Sequence, residues 1–264
     1  MATNKSIGIA GMAGVQPEIR DIGWDDLVDA LKKGIDDFKT FPSHLVLLVI
    51  IYPILGIILA RLTFGYDILP LLFPIISGFA LVGPLAAVGL YELSRRREKG
   101  GKVSWKHAFA PFKSRSIGSI LALGVLQLVI YFIWLGAALT IYRLTFGTAL
   151  PVSIPSFVYE VFTTSAGWTL IIVGGGVGFL FAVTVLIISV VSFPMILDRE
   201  VSAIEAVQTS TRAVMQNPVS MAMWGIIVTV LLGIGMLPLF IGLAVTMPVL
   251  GHATWHLYRK VVKF

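Results

Sequence analysis

The chain has 264 residues, of which 57% are hydrophobic and only 13% charged, about half the charged fraction of an ordinary soluble domain. Its mean hydropathy of +0.91 excludes a disordered chain and argues against a soluble one. The net charge is +6, and the absence of cysteine excludes disulfides, thiolate metal sites, cysteine nucleophiles and palmitoyl anchors.

Residues 1–20 read as a flexible N-terminal tail. The weakly apolar stretch Ser6 to Val15 contains three glycines and is too short to target or span. Trp24, Leu27, Val28, Leu31, Ile35 and Phe38 then follow the i, i+3, i+4, i+7 pattern of a helix with one apolar face. Asp25, Asp26, Asp29, Lys32, Lys33, Asp36 and Asp37 take the other face. A first charge-free run extends from His44 to Ala60, after a proline-bearing helix start at Phe41-Pro42-Ser43, and a second from Ile68 to about Tyr91. In the loop 94–116, Trp105, Ala108, Phe109 and Phe112 repeat the amphipathic offsets, with Ser104 placed to cap. A third apolar run covers Ile117 to Tyr142 and a fourth Trp168 to Leu197. In the following loop, Ser202 and Glu205 form a capping-box pattern.

From Ala213 to Tyr258 there are 46 consecutive residues without Asp, Glu, Lys or Arg. One straight helix of that length would reach about 69 Å, more than twice a bilayer core. The run must fold back near Gly233, Gly235 and Pro238, giving helices of about Val219 to Leu237 and Leu239 to Tyr258. Six spans result. Of the 20 Lys and Arg, only Arg61 and Arg143 then fall on one side and the other eighteen on the opposite side, which the positive-inside rule makes cytoplasmic, with both termini. The positive charge is topology charge beside anionic lipid headgroups and requires no nucleic acid.

Three units of similar form emerge, at about 21–97, 98–199 and 200–264: a cytoplasmic amphipathic helix followed by a transmembrane hairpin. Gly83-Pro84 leads to Tyr91 and Arg95 at the same offsets by which Met247-Pro248 leads to Trp255 and Arg259, and Phe193-Pro194 is a partial match. The expected fold is therefore all-α and polytopic. Each amphipathic helix has two places to lie, the bilayer or its own protein. The acidic face of the first favours packing against the basic 94–116 loop.

Candidate chemistry is thin. His252 and His256 share one helix face, as a metal or haem pair would, but no third ligand accompanies them. Beside Trp255 and Tyr258 they read as part of an interfacial aromatic belt. The run Gly174 to Gly178 lacks the order of a nucleotide-binding loop, and Gly174 with Gly178 reads as a small-xxx-small helix-packing pair. Pro84 and Pro248, with Pro194, are candidate kinks around a site. Ion- or proton-coupled transport needs intramembrane ionisable groups, and the spans offer only His252 and the boundary residue Glu92. No hydrolase or metalloprotease motif is present, and the acidic stretch Asp21 to Asp37 reads as a solvated helix face.

The blocks Phe79-Ala80-Leu81-Val82-Gly83-Pro84-Leu85-Ala86-Ala87-Val88-Gly89-Leu90-Tyr91-Glu92-Leu93-Ser94-Arg95-Arg96, Val103-Ser104-Trp105 and Leu250-Gly251-His252-Ala253-Thr254-Trp255-His256-Leu257-Tyr258-Arg259 resemble the bacterial integral-membrane family DUF2189, over about Trp24 to Val262. The resemblance implies a multi-pass protein of the bacterial inner membrane. Members are sometimes labelled cytochrome c oxidase subunit I, yet that enzyme's core subunit has many more spans and buried haem and copper histidines that this chain lacks. The label leaves room for an accessory subunit. The family carries no agreed functional residues.

The expectation is a non-enzymatic accessory, assembly or structural component of a membrane complex, respiratory or other, with no cofactor. Its partners are the lipid bilayer and either another membrane protein or further copies of itself. The alternative is a small carrier or permease for a neutral or lipid-like substrate. A water-filled cavity near Pro84, Pro194 and Pro248 favours the carrier, and an outward glycine surface at Gly174 and Gly178 favours the accessory role.

Overall fold

The computed structural model describes residues 17–40, 69–148, 151, 153–238 and 240–264. The first expected span, His44 to Ala60, and most of the expected tail lie outside the described residues. Among these residues the chain is all-α apart from one short antiparallel pairing of β1 (Glu18–Ile19) with β2 (Val262–Lys263). Strand β1 falls inside the stretch expected as tail.

Helix α1 (Trp24–Thr40) carries Asp25 and Asp26 in its first turn and Lys39 in its last, charges that complement the helix dipole. Its buried residues are Leu27, Ala30, Gly34 and Asp37. This stripe is rotated from the expected apolar face, and Trp24 is exposed. Gly34 is the cause. A Cβ there would lie 2.7 Å from the Ala253 nitrogen and the Val249 carbonyl, so the two backbones meet as in small-residue helix pairs.

The second apolar run forms α2 (Leu72–Ala86) and α3 (Val88–Glu98), broken at Ala87. Pro84, three residues earlier, has no N–H to give the carbonyl one turn back, so a helical hydrogen bond is missing just before the break. A 3-10 helix follows (Trp105–Lys113). Next come α4 (Ile117–Phe146), α5 (Ile154–Thr163) and α6 (Ser165–Ser189). Helix α5 has no counterpart among the expected elements. Ser153 caps it, accepting from the Ser156 N–H, and Phe157 packs against Tyr142 and Phe146 of α4.

The fourth run is also interrupted, at Val190 and Val191, before α7 (Ser192–Arg199). Serines take up the main-chain groups at this break. Ser210 Oγ donates to the Ile187 carbonyl at 2.7 Å, and Ser192 Oγ donates to the Ile188 carbonyl at 2.6 Å. The remaining helices are α8 (Ala203–Gln216), capped by Ser202, α9 (Pro218–Met236) and α10 (Leu243–Val261).

Among the described residues, four stretches are long and apolar enough to cross a membrane: Leu69–Ala86, Ile117–Phe146, Ser165–Arg199 and Pro218–Met236. Helix α10, the sixth expected span, differs in character. It is buried along most of its length, with α1, α3 and α9 packed around it. The largest core gathers at the end of the molecule where these helices meet, around Leu27, Tyr91, Phe193, Trp224, Trp255 and Tyr258. Away from that end α6 turns Trp168, Ile172, Phe179 and Leu180 outward, the surface of a helix facing lipid or another apolar helix.

Candidate functional site

Helices α1, α3 and α10 converge on a buried polar cluster. The close approach at Gly34 brings Asp37, one turn further along α1, into the face of α10 that carries His252 and His256. Helix α3 supplies Ser94 and Arg97 one turn apart. Asp37 is 2% exposed, and Ser94 and His252 are fully buried.

The hydrogen bonds fix the protonation pattern. Ser94 Oγ donates to Asp37 Oδ2 at 2.5 Å, so the 2.7 Å contact between Ser94 Oγ and His252 Nδ1 has the imidazole donating. His252 therefore carries a hydrogen on Nδ1, and its buried Nε2 has no partner among the described residues. A carboxylate only accepts, so His256 Nε2 donates to Asp37 Oδ2 at 2.8 Å. Arg97 donates to Asp37 Oδ1, and its other nitrogen reaches Asp36 at 2.7 Å. Burial alone would raise the Asp37 carboxyl. The donors from His256, Ser94 and Arg97 outweigh it and hold the group at about 2.

Ser, His and Asp thus meet in a chain whose order is wrong for nucleophilic catalysis. In a hydrolytic triad the imidazole lies between hydroxyl and carboxylate and removes the hydroxyl proton. Here the hydroxyl lies between the other two, donates its hydrogen bond to the carboxylate and is fully buried. The arrangement clamps three helices together. Nor does it assemble a metal centre: among the described residues no three His, Cys, Asp or Glu side chains are placed to share an ion.

Around this cluster the charges are matched in pairs. Glu92, 1% exposed, accepts from Arg95 at 2.8 Å and Arg96 at 2.5 Å. Glu98 accepts from the Trp255 indole and from Arg259, each at 3.0 Å, and Tyr258 donates to Asp198 at 3.1 Å. Lys260 bridges Asp26 and Asp29 at 2.9 Å. Hydrogen bonds from Lys33 and Lys260 bring the Asp29 carboxyl down to about 2. A polar depression of about 470 Å³ opens beside the cluster, lined by Lys33, Asp36, Arg97, Glu98, His256 and Arg259 among others.

A second, apolar cavity of about 510 Å³ lies among α2, α3, α6, α9 and α10. Pro84, Tyr91, Phe179, Trp224 and Gly251 line it, with Ser189, Thr229 and Thr254 as its sparse polar edge. Pro84 forms part of the α2 wall of this cavity. Pro194 and Pro248 do not border it. Both are buried in packing, Pro248 inside the continuous helix α10.

Several residues singled out from sequence occupy different surroundings from those expected. His252, Trp255 and Tyr258 are buried and hydrogen-bonded inside the protein, which replaces their reading as a lipid-facing belt. Asp37 lies among donors and not on the solvated face of α1. A Cβ at Gly178 would meet the Trp134 indole at 3.0 Å, whereas among the described residues one at Gly174 would meet only Leu170 of its own helix, at 4.0 Å. Ser94 and Arg97 were not candidates at all. The signal for Asp37 lay in the spacing Leu27, Ala30, Gly34, Asp37, a small-residue seam ending on an acid. Nothing in the sequence paired that seam with α3 and α10.

Residues 72–198 match the model of the DUF2189 family, described as a predicted integral membrane protein, in agreement with the resemblance carried by the Gly83-Pro84 block. No curated protein and no solved structure is detectably similar to the chain.

Proposed function

We propose that this integral membrane protein is a non-catalytic accessory, assembly or structural component of a membrane complex in the bacterial inner membrane. Six spans form three hairpins, each preceded by an amphipathic segment, with residues 24–40 and 259–264 on the cytoplasmic side. The observation that carries this reading is the use made of its buried ionisable groups. Asp37 and Glu92 are consumed by internal donors, and the Ser94 hydroxyl is closed off between two partners. Meanwhile α6 presents an apolar, glycine-bearing face outward, with nothing among the described residues within 4 Å of a Cβ at Gly175 or Gly176, where another helix has room to approach.

Affinity purification from native membranes in mild detergent, with mass spectrometry and an absorbance spectrum of the same sample, tests the role. Stoichiometric co-purification with a complex supports it, and a lone chain speaks against it. The lack of cysteine makes the topology directly testable with single-cysteine variants and an impermeant maleimide. Lys102→Cys and Lys263→Cys are expected to label only after the membrane is opened, and Gly147→Cys in intact spheroplasts. Labelling of Lys263→Cys in intact cells would refute the even span count.

The apolar cavity beside Pro84 supports a second reading, a carrier for a neutral or lipid-like substrate. Its walls offer few groups to orient a polar molecule, so a lipid-like substrate is the better fit. A lone chain or homo-oligomer in the purification, together with substrate flux in vesicles, favours this reading.

A further inference from the structure

We infer that residues 99–115 form an in-plane anchor that binds the anionic headgroup layer of the cytoplasmic leaflet. This rests on the cytoplasmic placement proposed above. The segment contains Lys99, Lys102, Lys106, Lys113 and Arg115 and no acidic residue. Lys99 lies 3.9 Å from Asp198. The other four are exposed, and among the described residues they enter no ion pair. They contrast with Arg95, Arg96, Arg97, Arg259 and Lys260, each of which meets a carboxylate.

The aromatic side chains point the same way. In the 3-10 helix Ala108 and Pro111 face inward. Ala108 packs on Leu90 and Leu93, and its carbonyl would lie 2.8 Å from a Cβ at Gly89. Trp105, Phe109 and Phe112 face outward at 37%, 44% and 66% exposure. They form one continuous row, with Trp105 and Phe109 6.1 Å apart edge to face and Phe109 and Phe112 6.4 Å apart stacked. Helix α3 leaves the apolar stretch around Gly89 to Leu93, and helix α4 starts at Ile117 and carries no charge before Arg143. The segment is thus held at the depth where span gives way to headgroup. Three exposed rings in water would be a liability. At that depth, with four unpaired cations beside them, they are an interfacial anchor, rings among the acyl boundary and cations among phosphates.

The full chain, purified and reconstituted into vesicles of phosphatidylcholine with or without phosphatidylglycerol, provides the test. A nitroxide at Phe112→Cys is expected to be open to oxygen and shielded from an aqueous paramagnetic reagent, whereas one at Lys263→Cys is open to the reagent. In native mass spectrometry phosphatidylglycerol is expected to be retained over phosphatidylcholine. Each cation contributes about fivefold at a membrane surface, so the preference should fall by at least about tenfold in the variant K102Q/K106Q/K113Q/R115Q. Should that variant fail to fold, the wild-type preference must still shrink between about 50 mM and about 500 mM salt. Equal aqueous access at Phe112→Cys and Lys263→Cys overturns the proposal, as does a lipid preference unchanged by the four substitutions. Protection of Phe112→Cys only when an acidic protein co-purifies also overturns it, and assigns the patch to that protein. The accessory role stands or falls separately, on co-purification of a complex.

Discussion

Asp37→Asn separates the buried clamp from ordinary surface charge. The substitution keeps the side chain's shape and replaces one acceptor oxygen with an amide donor. In place of Oδ1 the amide faces Arg97, and in place of Oδ2 it faces Ser94 and His256. Either way a buried donor loses its acceptor, at about 1–3 kcal/mol, and the charge assistance to the Arg97 and His256 bonds disappears. The total is about 3 kcal/mol, the low end of what breaking a buried ion pair costs. At about 2–4 °C per kcal/mol for a chain of this size, thermal unfolding in mild detergent should drop by about 6–12 °C. Asp36→Asn is the control: its carboxylate also reaches Arg97, but it is 67% exposed, so about 1 kcal/mol or less is at stake. The pH dependence has a definite sign. Asp37 is held at about 2 in the fold against about 3.9 unfolded. The stability it lends, about 2 kcal/mol, is present above about pH 4 and disappears as pH falls towards 2. The gap between wild type and Asp37→Asn should therefore be constant from neutral pH to about 5 and close below it. An Asp37→Asn protein melting within about 2 °C of wild type, or an Asp36→Asn protein equally destabilised, would refute the clamp.

Gly34→Val places a carbon bearing two methyl groups where a Cβ alone would already meet the Ala253 nitrogen and Val249 carbonyl at 2.7 Å; a loss of at least about 1–3 kcal/mol in thermal stability is expected, and an unchanged melt would contradict the α1–α10 contact. Gln127 is fully buried in α4, and among the described residues neither amide atom has a partner, so Gln127→Leu should be neutral or stabilising in the same assay; a clear loss would reveal a hydrogen-bonding partner there. Gly178→Leu should destabilise by about 1–3 kcal/mol against the Trp134 indole. Gly174→Leu should leave the purified chain unaffected yet reduce co-purification of a partner, if α6 is the docking face. Asn217→Ala removes the side chain that accepts from the Ile22 N–H at 2.8 Å and donates to the Arg20 carbonyl at 3.0 Å. Faster amide exchange over residues 18–22 is expected, read by mass spectrometry, and unchanged exchange would show that the β1–β2 pairing holds that segment unaided.

Legibility in the sequence followed range. Charge-free runs located α4 within a few residues of its ends and placed α6 and α9 closely, because span length is a property of consecutive residues. The local cap at Ser202 was readable for the same reason. The rotation of α1 was not: hydrophobic periodicity chose the face with Trp24, Val28 and Leu31, while packing chose the face with Ala30 and Gly34. A glycine has no hydropathy to advertise, yet its missing side chain sets the closest approach of two helices. The outward row Trp105, Phe109, Phe112 was visible as an apolar stripe, and only the fold showed that Ala108 and Pro111 take the protein side.

By itself the sequence determined an integral membrane protein, the helical class and the end of a helix near Gly235. Each is fixed by neighbouring residues and by the bilayer as solvent. Tertiary structure alone decided which polar groups are buried together, since Asp37, Ser94 and His252 come from three helices separated by up to 215 positions of chain. It made a clamp of a pair of histidines whose spacing suggested a ligand site, because the order of donors and acceptors around a carboxylate depends on which atoms meet in space.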